Sequence, residues 1–447
     1  MQRSTRYLIA ALAAPALASL ACVVDVGGND EAVSGGDDNG STVRHCETDD
    51  GSITLPPGFC ATVFADEVGK ARHLAVSPGG IVFVALAADD DAGPFGVLAL
   101  ADDDDDGVAD RTRRFGDGSG NGIAWHDGYL YFARNDSIVR WAMGDAELAP
   151  HSHEEVLVTG LPDDGDHTAK SIVIGDDGSI FVNIGSASNA CQVDNREPGS
   201  PGVDPCPELA VRAGIWRFPA ANAEQTAADG ERYASGIRNA NAIAMHPVTR
   251  GIVAVQNGRD QLFDNWPELF DDADDDRLPS EELLLVQAGH DYGWPYCYHD
   301  PDLGEMVLAP EYGGDGSDSG RCADVDGPDA WFPAHWAPLG IHFYAGAMFP
   351  DRYRRGAFVA FHGSRFEPQA TGELPGYNVA FVPFESGRPT GEHMIFADDF
   401  AGGARPLPDK AEHRPVGLAE APDGSLYIGD DQGGRIWRVY YDLGRTP

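Results

Sequence analysis

A short unit of two apolar stretches joined by a tight turn recurs along this chain. In its clearest copy, an apolar run at residues 122–126 leads into Asp127-Gly128 and then into an alternating run at 129–132. Alternation on both sides of an Asp-Gly or Pro-containing turn predicts a β-hairpin. Related units, of which the fifth is the weakest, occupy residues 73–84, 122–132, 171–182, 242–255, 340–360 and 417–428.

A further strand follows several of these hairpins, as at residues 137–141, 214–218 and 434–439. Repeated hairpin-plus-strand units without long helical periodicity are typical of β-propellers, and six copies indicate six blades. We therefore predict an all-β fold, a six-bladed β-propeller of four-stranded antiparallel blades. A β-sandwich with long insertions is the alternative.

The N-terminal residues have the pattern of an export signal. Arg3 and Arg6 precede an apolar stretch that is too short to span a bilayer, and Cys22 follows Ala21 as in a lipoprotein processing site. We predict a signal peptide at 1–21, an acidic Gly/Ser/Asp-rich tether at 22–45 with a lipidated Cys22, and a catalytic propeller domain at 46–447. The protein is then exported to the periplasm or cell envelope and touches the membrane through its lipid anchor; plain secretion is the alternative.

The cysteines indicate an oxidising compartment. Apart from Cys22, they fall into couples that are close in sequence, and none has C-x-x-C spacing. Disulfides are therefore favoured over a zinc site. Proximity alone predicts the pairs Cys46 with Cys60, Cys191 with Cys206, and Cys297 with Cys322.

The charge of the chain restricts its partners. With 31 basic and 72 acidic residues, the formal net charge is −41. Such a surface repels nucleic-acid phosphates and anionic lipids, so we expect no nucleic-acid partner. A neutral small molecule or a cation suits it better. Because no Gly-x-Ser-x-Gly elbow, phosphate loop or dinucleotide fingerprint is present, hydrolase, kinase and nicotinamide-dependent functions have little support.

An acidic loop at residues 102–110 has the spacing of a calcium-binding loop. Carboxylates stand at Asp102, Asp104, Asp106 and Asp110, and Gly107 allows a sharp turn. Arg113 stands where an EF-hand has its last glutamate. We predict a structural Ca2+ site here, with a merely solvated acidic run as the alternative.

One histidine stands just ahead of a predicted strand, in the segment His167-Thr168-Ala169-Lys170. Titratable groups at a strand mouth on a rigid β scaffold are often catalytic, although a lone histidine is more often structural. Other segments of the chain, described next, strengthen the expectation that His167 is catalytic.

Several segments, taken together and in order, resemble the soluble glucose/sorbosone dehydrogenase-like propellers that use pyrroloquinoline quinone (PQQ). The matching segments span nearly the whole predicted domain. They are His167-Thr168-Ala169-Lys170, residues 183–191, Gly236-Ile237-Arg238-Asn239, Gln256-Asn257-Gly258-Arg259-Asp260, residues 289–297 and 337–344, Phe361-His362-Gly363-Ser364-Arg365, and Arg414-Pro415-Val416-Gly417.

This resemblance implies a site for a flat tricarboxylate quinone over the propeller axis. His167 would take the proton from the sugar hydroxyl, and Arg238 would stabilise negative charge on the quinone. The backbone carbonyls of Gly258 and Arg259 would hold a Ca2+ ion that also binds the quinone. The remaining cofactor-binding residues implied are Arg72, Asn121, Lys170, Asn239, His362, Arg365 and Arg414.

The implied activity is that of a quinoprotein aldose dehydrogenase with the cofactors PQQ and Ca2+. It would oxidise an anomeric or polyol hydroxyl of a sugar and pass electrons to an acceptor in the cell envelope. The alternative from another class is a non-enzymatic propeller that binds glycan or protein after loss of the cofactor. A metal-dependent lactonase propeller is a third alternative, but no set of Glu and Asn residues for a central metal stands out.

Overall fold

Antiparallel hairpins make up most of the chain that the computed structural model describes, which is residues 51–88, 95–367, 375–403 and 408–442. The predicted signal peptide, the tether, Cys22 and Cys46 lie outside these residues, so those predictions stay untested. The described secondary structure is nearly all β, with two helices of four residues each, α1 (Leu262–Asn265) and α2 (Asp272–Asp275). No helix in the described ranges has the length and apolar character needed to cross a membrane.

The strands in chain order are β1 (Phe59–Ala65), β2 (Ala71–Val76), β3 (Val82–Leu86), β4 (Gly96–Ala101), β5 (Arg111–Phe115), β6 (Gly120–His126), β7 (Tyr129–Arg134), β8 (Ile138–Ala142), β9 (Glu155–Thr159), β10 (Lys170–Ile174), β11 (Ser179–Ile184), β12 (Gly214–Pro219), β13 (Gln225–Thr226), β14 (Glu231–Ser235), β15 (Ala242–Met245), β16 (Ile252–Gln256), β17 (Glu281–Val286), β18 (Cys297–Asp300), β19 (Glu305–Leu308), β20 (Ala330–Phe332), β21 (Pro338–Phe343), β22 (Gly356–Phe361), β23 (Asn378–Glu385), β24 (Arg388–Pro389), β25 (Met394–Ala397), β26 (Pro415–Glu420), β27 (Leu426–Asp430) and β28 (Ile436–Tyr441). Short 3-10 turns occupy Pro207–Ala210, Ala227–Asp229, Pro310–Tyr312, Gly320–Cys322, Asp351–Tyr353 and Pro408–Lys410.

These strands form six antiparallel blades, which confirms the predicted fold class. Blade 1 is β2-β3-β4-β5, blade 2 is β6-β7-β8-β9, and blade 3 is β10-β11-β12-β14. Blade 4 is β15-β16-β17-β20, blade 5 is β21-β22-β23-β25, and blade 6 is β26-β27-β28-β1. β13 pairs with the edge of blade 2, β24 pairs with β23, and β18 with β19 forms a separate hairpin.

The blades close into a ring. The first strand of each blade contacts the first strand of the next, and β26 of blade 6 contacts β2 of blade 1. The last blade is completed by β1, which pairs antiparallel with β28. Strands from both ends of the described chain therefore share one sheet.

Hydrophobic side chains fill the space between neighbouring blades. Each of the six interfaces between blades holds its own cluster of buried residues. At the interface of blades 1 and 2, for example, Phe83 stacks on Trp125 with ring centroids 5.8 Å apart. Because side chains alternate between the two faces of a strand, each sheet packs one face against the preceding blade and the other face against the following blade.

Glycines let the innermost strands approach one another closely. A Cβ atom on Gly340 of β21 would lie 2.0 Å from the carbonyl oxygen of Val416 in β26. A Cβ on Gly417 would lie 2.3 Å from the carbonyl oxygen of Arg72, and one on Gly122 would lie 2.7 Å from that of Lys170. Glycine is thus required at these positions because neighbouring backbone occupies the space of a side chain.

The predicted turns and two of the predicted disulfides are present. Asp127 and Gly128 join β6 to β7 with φ of 47° and 74°, as a type I′ hairpin turn requires. Cys191 is bonded to Cys206 and Cys297 to Cys322. Cys60 is also disulfide-bonded, but its predicted partner Cys46 lies outside the described residues.

We predict that Gly340→Ala lowers the free energy of unfolding by about 2 kcal/mol or more, because the new methyl group forces β21 away from β26. Urea unfolding of the variant measures this. Gly251→Ala is the matched control, since a Cβ there would meet the Thr249 Oγ1 atom at an ordinary 3.5 Å. Equal stability of Gly340→Ala and the wild type would show that the inner strands are not held as closely as described.

Candidate active site

A cavity of about 310 Å³ opens at one end of the ring axis, which we call the upper face. Its walls come mainly from residues that precede the first strands of blades or follow the second strands. A second cavity, lined by residues that end the first strands, such as His126, Ile174 and Met245, lies at the other end of the axis. The upper cavity is lined by Asp166, His167, Arg196, Arg238, Asn239, Asn257, Gly258, Asp260, Glu281, His335, Ala337, Leu339, His362, Gly363, Ser364, Arg365, Phe366 and Arg414.

His167 lies in this wall with one ring nitrogen already bonded. Its Nδ1 atom is 2.9 Å from the carbonyl oxygen of Ser186 and 3.0 Å from the Ser186 Oγ atom. A carbonyl oxygen only accepts, so Nδ1 carries the hydrogen and Nε2 keeps its lone pair. Gly185 makes this contact possible, because a Cβ there would lie 2.6 Å from the His167 Cβ.

The surroundings of His167 keep its ring neutral. Burial lowers the pKa of the imidazole to about 3, and the positive charge of Arg238 contributes in the same direction. At neutral pH the side chain is therefore an uncharged ring with a free Nε2 lone pair, the form that accepts a proton.

Arg238 is buried between blades 3 and 4 and is held by three acceptors. Its Nε atom donates to the carbonyl oxygen of Asn189 at 3.1 Å, and one terminal nitrogen donates to the Asn189 Oδ1 atom at 2.9 Å. The same nitrogen lies 3.2 Å from the Oδ2 atom of Asp260. Burial lowers the pKa of Arg238 from its usual value, but a guanidinium stays charged in proteins. Arg238 is thus a fixed cation in the wall of the cavity.

Asp260 is the shared counter-ion of three arginines. Its Oδ2 atom lies 3.1 Å from Arg196, 3.2 Å from Arg238 and 3.1 Å from Arg365. Burial alone would raise the pKa of Asp260, but the three guanidinium groups hold it well below its usual range. One negative charge is therefore surrounded by three positive charges, and the cluster has an excess of positive charge.

His362 and Arg414 bring further polar groups from blades 5 and 6. Arg414 donates from Nε to the carbonyl oxygen of His362 at 3.0 Å and from a terminal nitrogen to that of Ser364 at 3.2 Å. The His362 Nε2 atom lies 2.7 Å from Asp431 Oδ1. Both residues line the cavity, so the predicted residues of blades 3 to 6 meet there.

Three other predicted cofactor-binding residues do not line this cavity. Lys170 donates from Nζ to the carbonyl oxygens of Pro162 and Thr168, and burial lowers its pKa to about 8. Arg72 pairs with Asp431 and donates to Asn121 Oδ1 at 2.7 Å. Asn121 in turn donates to Ser171 Oγ at 2.8 Å. These side chains link blades around the axis, and a direct cofactor contact by them stays a prediction.

Glu281, which the sequence analysis did not single out, stands beside the predicted metal ligand Gly258. Its Oε2 atom accepts the backbone N–H of Gly258 at 2.7 Å, and its Oε1 atom accepts that of Ala337 at 2.9 Å. Burial raises the pKa of Glu281 to about 7. The side chain of Arg259 points away and pairs with Glu311, so only the Arg259 backbone is available for the role predicted from the sequence.

Asn239 lines the cavity next to His167 and Arg238. Its Oδ1 atom accepts a hydrogen bond from the Asn183 side chain at 3.3 Å. This leaves the amide N–H groups of Asn239 as donors of the kind that a quinone oxygen or a sugar hydroxyl accepts.

The acidic loop between β4 and β5 brings three of its four predicted ligands together. Carboxylate oxygens of Asp102, Asp104 and Asp106 lie within 4.8 Å of one another. Asp110 instead accepts the backbone N–H of Asp103 at 2.6 Å, and Arg438 lies 2.9 Å from Asp102. The predicted calcium site in this loop stays a prediction.

We predict that His167 in the cofactor-free protein stays in its neutral Nδ1–H form at pH 5, because its pKa of about 3 lies below that pH. An ordinary histidine, with a pKa near 6.5, would be mostly charged there. Nitrogen-15 NMR of the imidazole distinguishes the two forms. A His167 titration midpoint near 6.5 would contradict the burial described.

Comparison with known proteins gives a family and a fold. A family model described as TrAA12-like matches residues 53–442. An uncharacterized protein of Borreliella burgdorferi is 31% identical over 219 residues, which cover 47% of this chain and 49% of that protein. The chain therefore matches about half the length of this curated relative.

Two solved structures share the fold. The iodide structure of the Trichoderma reesei protein of carbohydrate-active enzyme family AA12 has a TM-score of 0.71 and 18% identity, covering 89% of this chain and 100% of that one. The holo form of the PQQ domain of pyranose dehydrogenase from Coprinopsis cinerea has a TM-score of 0.69 and 18% identity, covering 87% and 97%. This agrees with the resemblance to quinone-dependent propellers noted in the sequence. Because the family model spans most of the sequence, the chain belongs to the TrAA12-like family.

Proposed function

We propose that this protein is a PQQ-dependent sugar dehydrogenase that oxidises an anomeric or polyol hydroxyl. The observation that carries the proposal is the joint presence of a neutral imidazole and several fixed guanidinium groups in one cavity on the propeller axis. The structural likeness to the PQQ domain of the Coprinopsis pyranose dehydrogenase supports the same kind of function.

The cavity fits an anionic cofactor electrostatically. Arg196, Arg238, Arg365 and Arg414 line it, against three carboxylates: Asp166 and Asp260, which are ion-paired, and Glu281. A cavity with surplus positive charge, in a chain with a net charge of −41, needs an anionic ligand to balance it. The three carboxylates of PQQ would meet this need, with Arg365 and Arg414 as binding residues.

Glu281 and the carbonyl of Gly258 offer the oxygen atoms that Ca2+ prefers, so the residues present also suit the second cofactor. When bound, the quinone supplies the acceptor for the hydride and the Ca2+ ion polarises it. The remaining chemistry belongs to side chains of this protein.

His167 is the proposed base. Its Nε2 lone pair would accept the proton of the sugar hydroxyl, while the Ser186 carbonyl holds Nδ1–H and fixes the ring orientation. Arg238, immobilised by Asn189 and Asp260, provides a positive charge that needs no rearrangement during the reaction.

Phe366 lines the cavity, and we propose that its ring stacks on the C–H surface of the sugar. The aromatic run at residues 292–296 does not line the upper cavity. Trp294 is buried and donates from Nε1 to the carbonyl of Asn189 at 2.9 Å. The sugar-binding surface is therefore expected around Phe366.

The location and the electron acceptor belong to the same proposal. Export to the cell envelope, with a lipid on Cys22, would bring the enzyme to an envelope acceptor for its electrons. Mass spectrometry of the mature N-terminus, compared between the wild type and Cys22→Ser, tests the anchor. A mature protein that begins elsewhere, without a lipid, would overturn it.

We predict that the mature domain takes up one PQQ with Ca2+ and then reduces a dye in the presence of aldoses. His167→Gln should keep cofactor uptake but lose about 10²- to 10⁴-fold in kcat/KM, the usual contribution of a positioned base. His151→Gln, an exposed residue, is the control. Absence of cofactor uptake by the wild type would instead favour the non-enzymatic propeller that binds glycan or protein.

We also predict that Arg414→Gln weakens PQQ binding by at least about tenfold, because a half-buried cation in the wall of the cofactor cavity is lost. Equilibrium binding, followed by the quinone absorbance after desalting, measures this. Arg388→Gln is the matched control, since Arg388 pairs with Asp329 on the surface. Equal affinities of the two variants would remove Arg414 from the cofactor site.

A further inference from the structure

The carboxylates in the wall of the upper cavity differ in their partners. Asp166 pairs with Arg196, and Asp260 pairs with three arginines. Within the described ranges, Glu281 forms no ion pair, although it lines the same cavity and is only 3% exposed. Glu281 is therefore a buried acidic group whose charge no side chain of the described chain balances directly.

Two backbone groups hold Glu281 in place. Gly258 follows β16 of blade 4, and Ala337 precedes β21 of blade 5; each gives its N–H to one oxygen of the carboxylate, at 2.7 Å and 2.9 Å. A carboxylate oxygen can accept a second partner, so both oxygens keep coordination capacity. The side chain is thus fixed at the junction of two blades with its acceptor capacity half used.

The energetics favour a cation at this position. A buried, ionised carboxylate is costly unless it is paired, and two N–H donors offset only a part of that cost. His335, which also lines the cavity, contacts the carbonyl oxygen of Asp275 through Nε2 at 2.6 Å. Gly258, whose N–H bonds to Glu281, accepts no backbone hydrogen bond at its carbonyl oxygen within the described residues.

Oxygen donors of this kind define the class of ion. A carboxylate with backbone carbonyls suits a hard divalent cation, and flexible oxygen coordination favours Ca2+ over Mg2+. We propose that Glu281 is a side-chain ligand of a Ca2+ ion in the upper cavity, next to the Gly258 carbonyl. This deepens the proposed function, on which it rests for the role of the ion, by adding a charged ligand to a site expected to consist of backbone carbonyls.

Glu282 provides a matched control. It is the next residue of β17, so its side chain leaves the opposite face of the strand. It is equally buried, at 4% exposure, and accepts a hydrogen bond from the Gln256 side chain at 3.0 Å. It does not line the upper cavity. Loss of one buried carboxylate can therefore be separated from loss of the carboxylate at the site.

The experiment titrates the cofactor-free protein with CaCl2 alone in a calorimeter. All proteins carry Asp104→Asn and Asp106→Asn, which removes the acidic loop as a second calcium site. The parent should bind one Ca2+, and Glu281→Gln should bind it at least about tenfold more weakly, because a charged ligand is lost. Glu282→Gln should match the parent. Equal affinities for the parent and Glu281→Gln, or no binding by the parent, would overturn the proposal.

Thermal unfolding gives a second readout that does not depend on activity. Ca2+ should raise the Tm of the parent and of Glu282→Gln relative to EDTA, since a ligand that binds the native state stabilises it. Glu281→Gln should show a clearly smaller rise in Tm at the same Ca2+ concentration. A full Ca2+-dependent rise in Tm in Glu281→Gln would contradict the assignment.

Quinone uptake, measured separately by absorbance, keeps the two proposals distinguishable. Calcium binding that depends on Glu281 without any quinone uptake would support the cation site and overturn the dehydrogenase. Quinone uptake with calcium binding that is independent of Glu281 would do the reverse. If Glu281→Gln does not fold, Mn2+ soaked into crystals of the wild type replaces the variant. An anomalous peak within bonding distance of Glu281 supports the proposal, and its absence there overturns it.

Discussion

The close approach of the six innermost strands is the constraint on which the rest of the structure depends. Gly122, Gly340 and Gly417 allow neighbouring backbones into the space of a side chain, and hydrophobic clusters at the six interfaces hold the blades in that position. Because every first strand begins near the same axis, residues far apart in sequence meet there. His167, Arg238 and Arg414 reach one cavity from three different blades for this reason.

The wall of the upper cavity is rich in arginine, although the chain as a whole is strongly acidic. A protein with a net charge of −41 maintains an excess of arginine at one point by surrounding one half-buried carboxylate, Asp260, with three guanidinium groups. The same arrangement affects the neighbouring histidine, because the charge of Arg238 adds to burial in keeping His167 neutral. The acidity of the surface and the basicity of the cavity are thus separate properties of one chain.

Much of the architecture could be predicted because its signals are local. The alternation within each hairpin, the Asp127-Gly128 turn and the cysteine couples 191/206 and 297/322 all lie within short stretches of sequence. The meeting of His167, Arg238, His362 and Arg414 could be predicted because all four stand at the openings of predicted blades. Their roles in catalysis and binding stay predictions.

Other parts of the site depend on contacts between segments that are far apart in the sequence. Lys170 starts β10 only three residues after His167, yet it donates to loop carbonyls, because the direction of each side chain near a strand start is set by the fold. Asp260 lies inside a matching motif, but its three arginine partners come from distant segments. Glu281 stands in an ordinary apolar strand and acquires its position from Gly258 and Ala337 of neighbouring elements.

The pairing of β1 with β28 also has a consequence for how the chain reaches its native state. The first described strand has no partner in its sheet until the last one has been synthesised. Until then the incomplete ring leaves strand edges and the apolar faces of blades 1 and 5 in contact with water, and such surfaces promote association between chains. The late arrival of one C-terminal strand therefore sets the period during which the nascent protein is most vulnerable to aggregation.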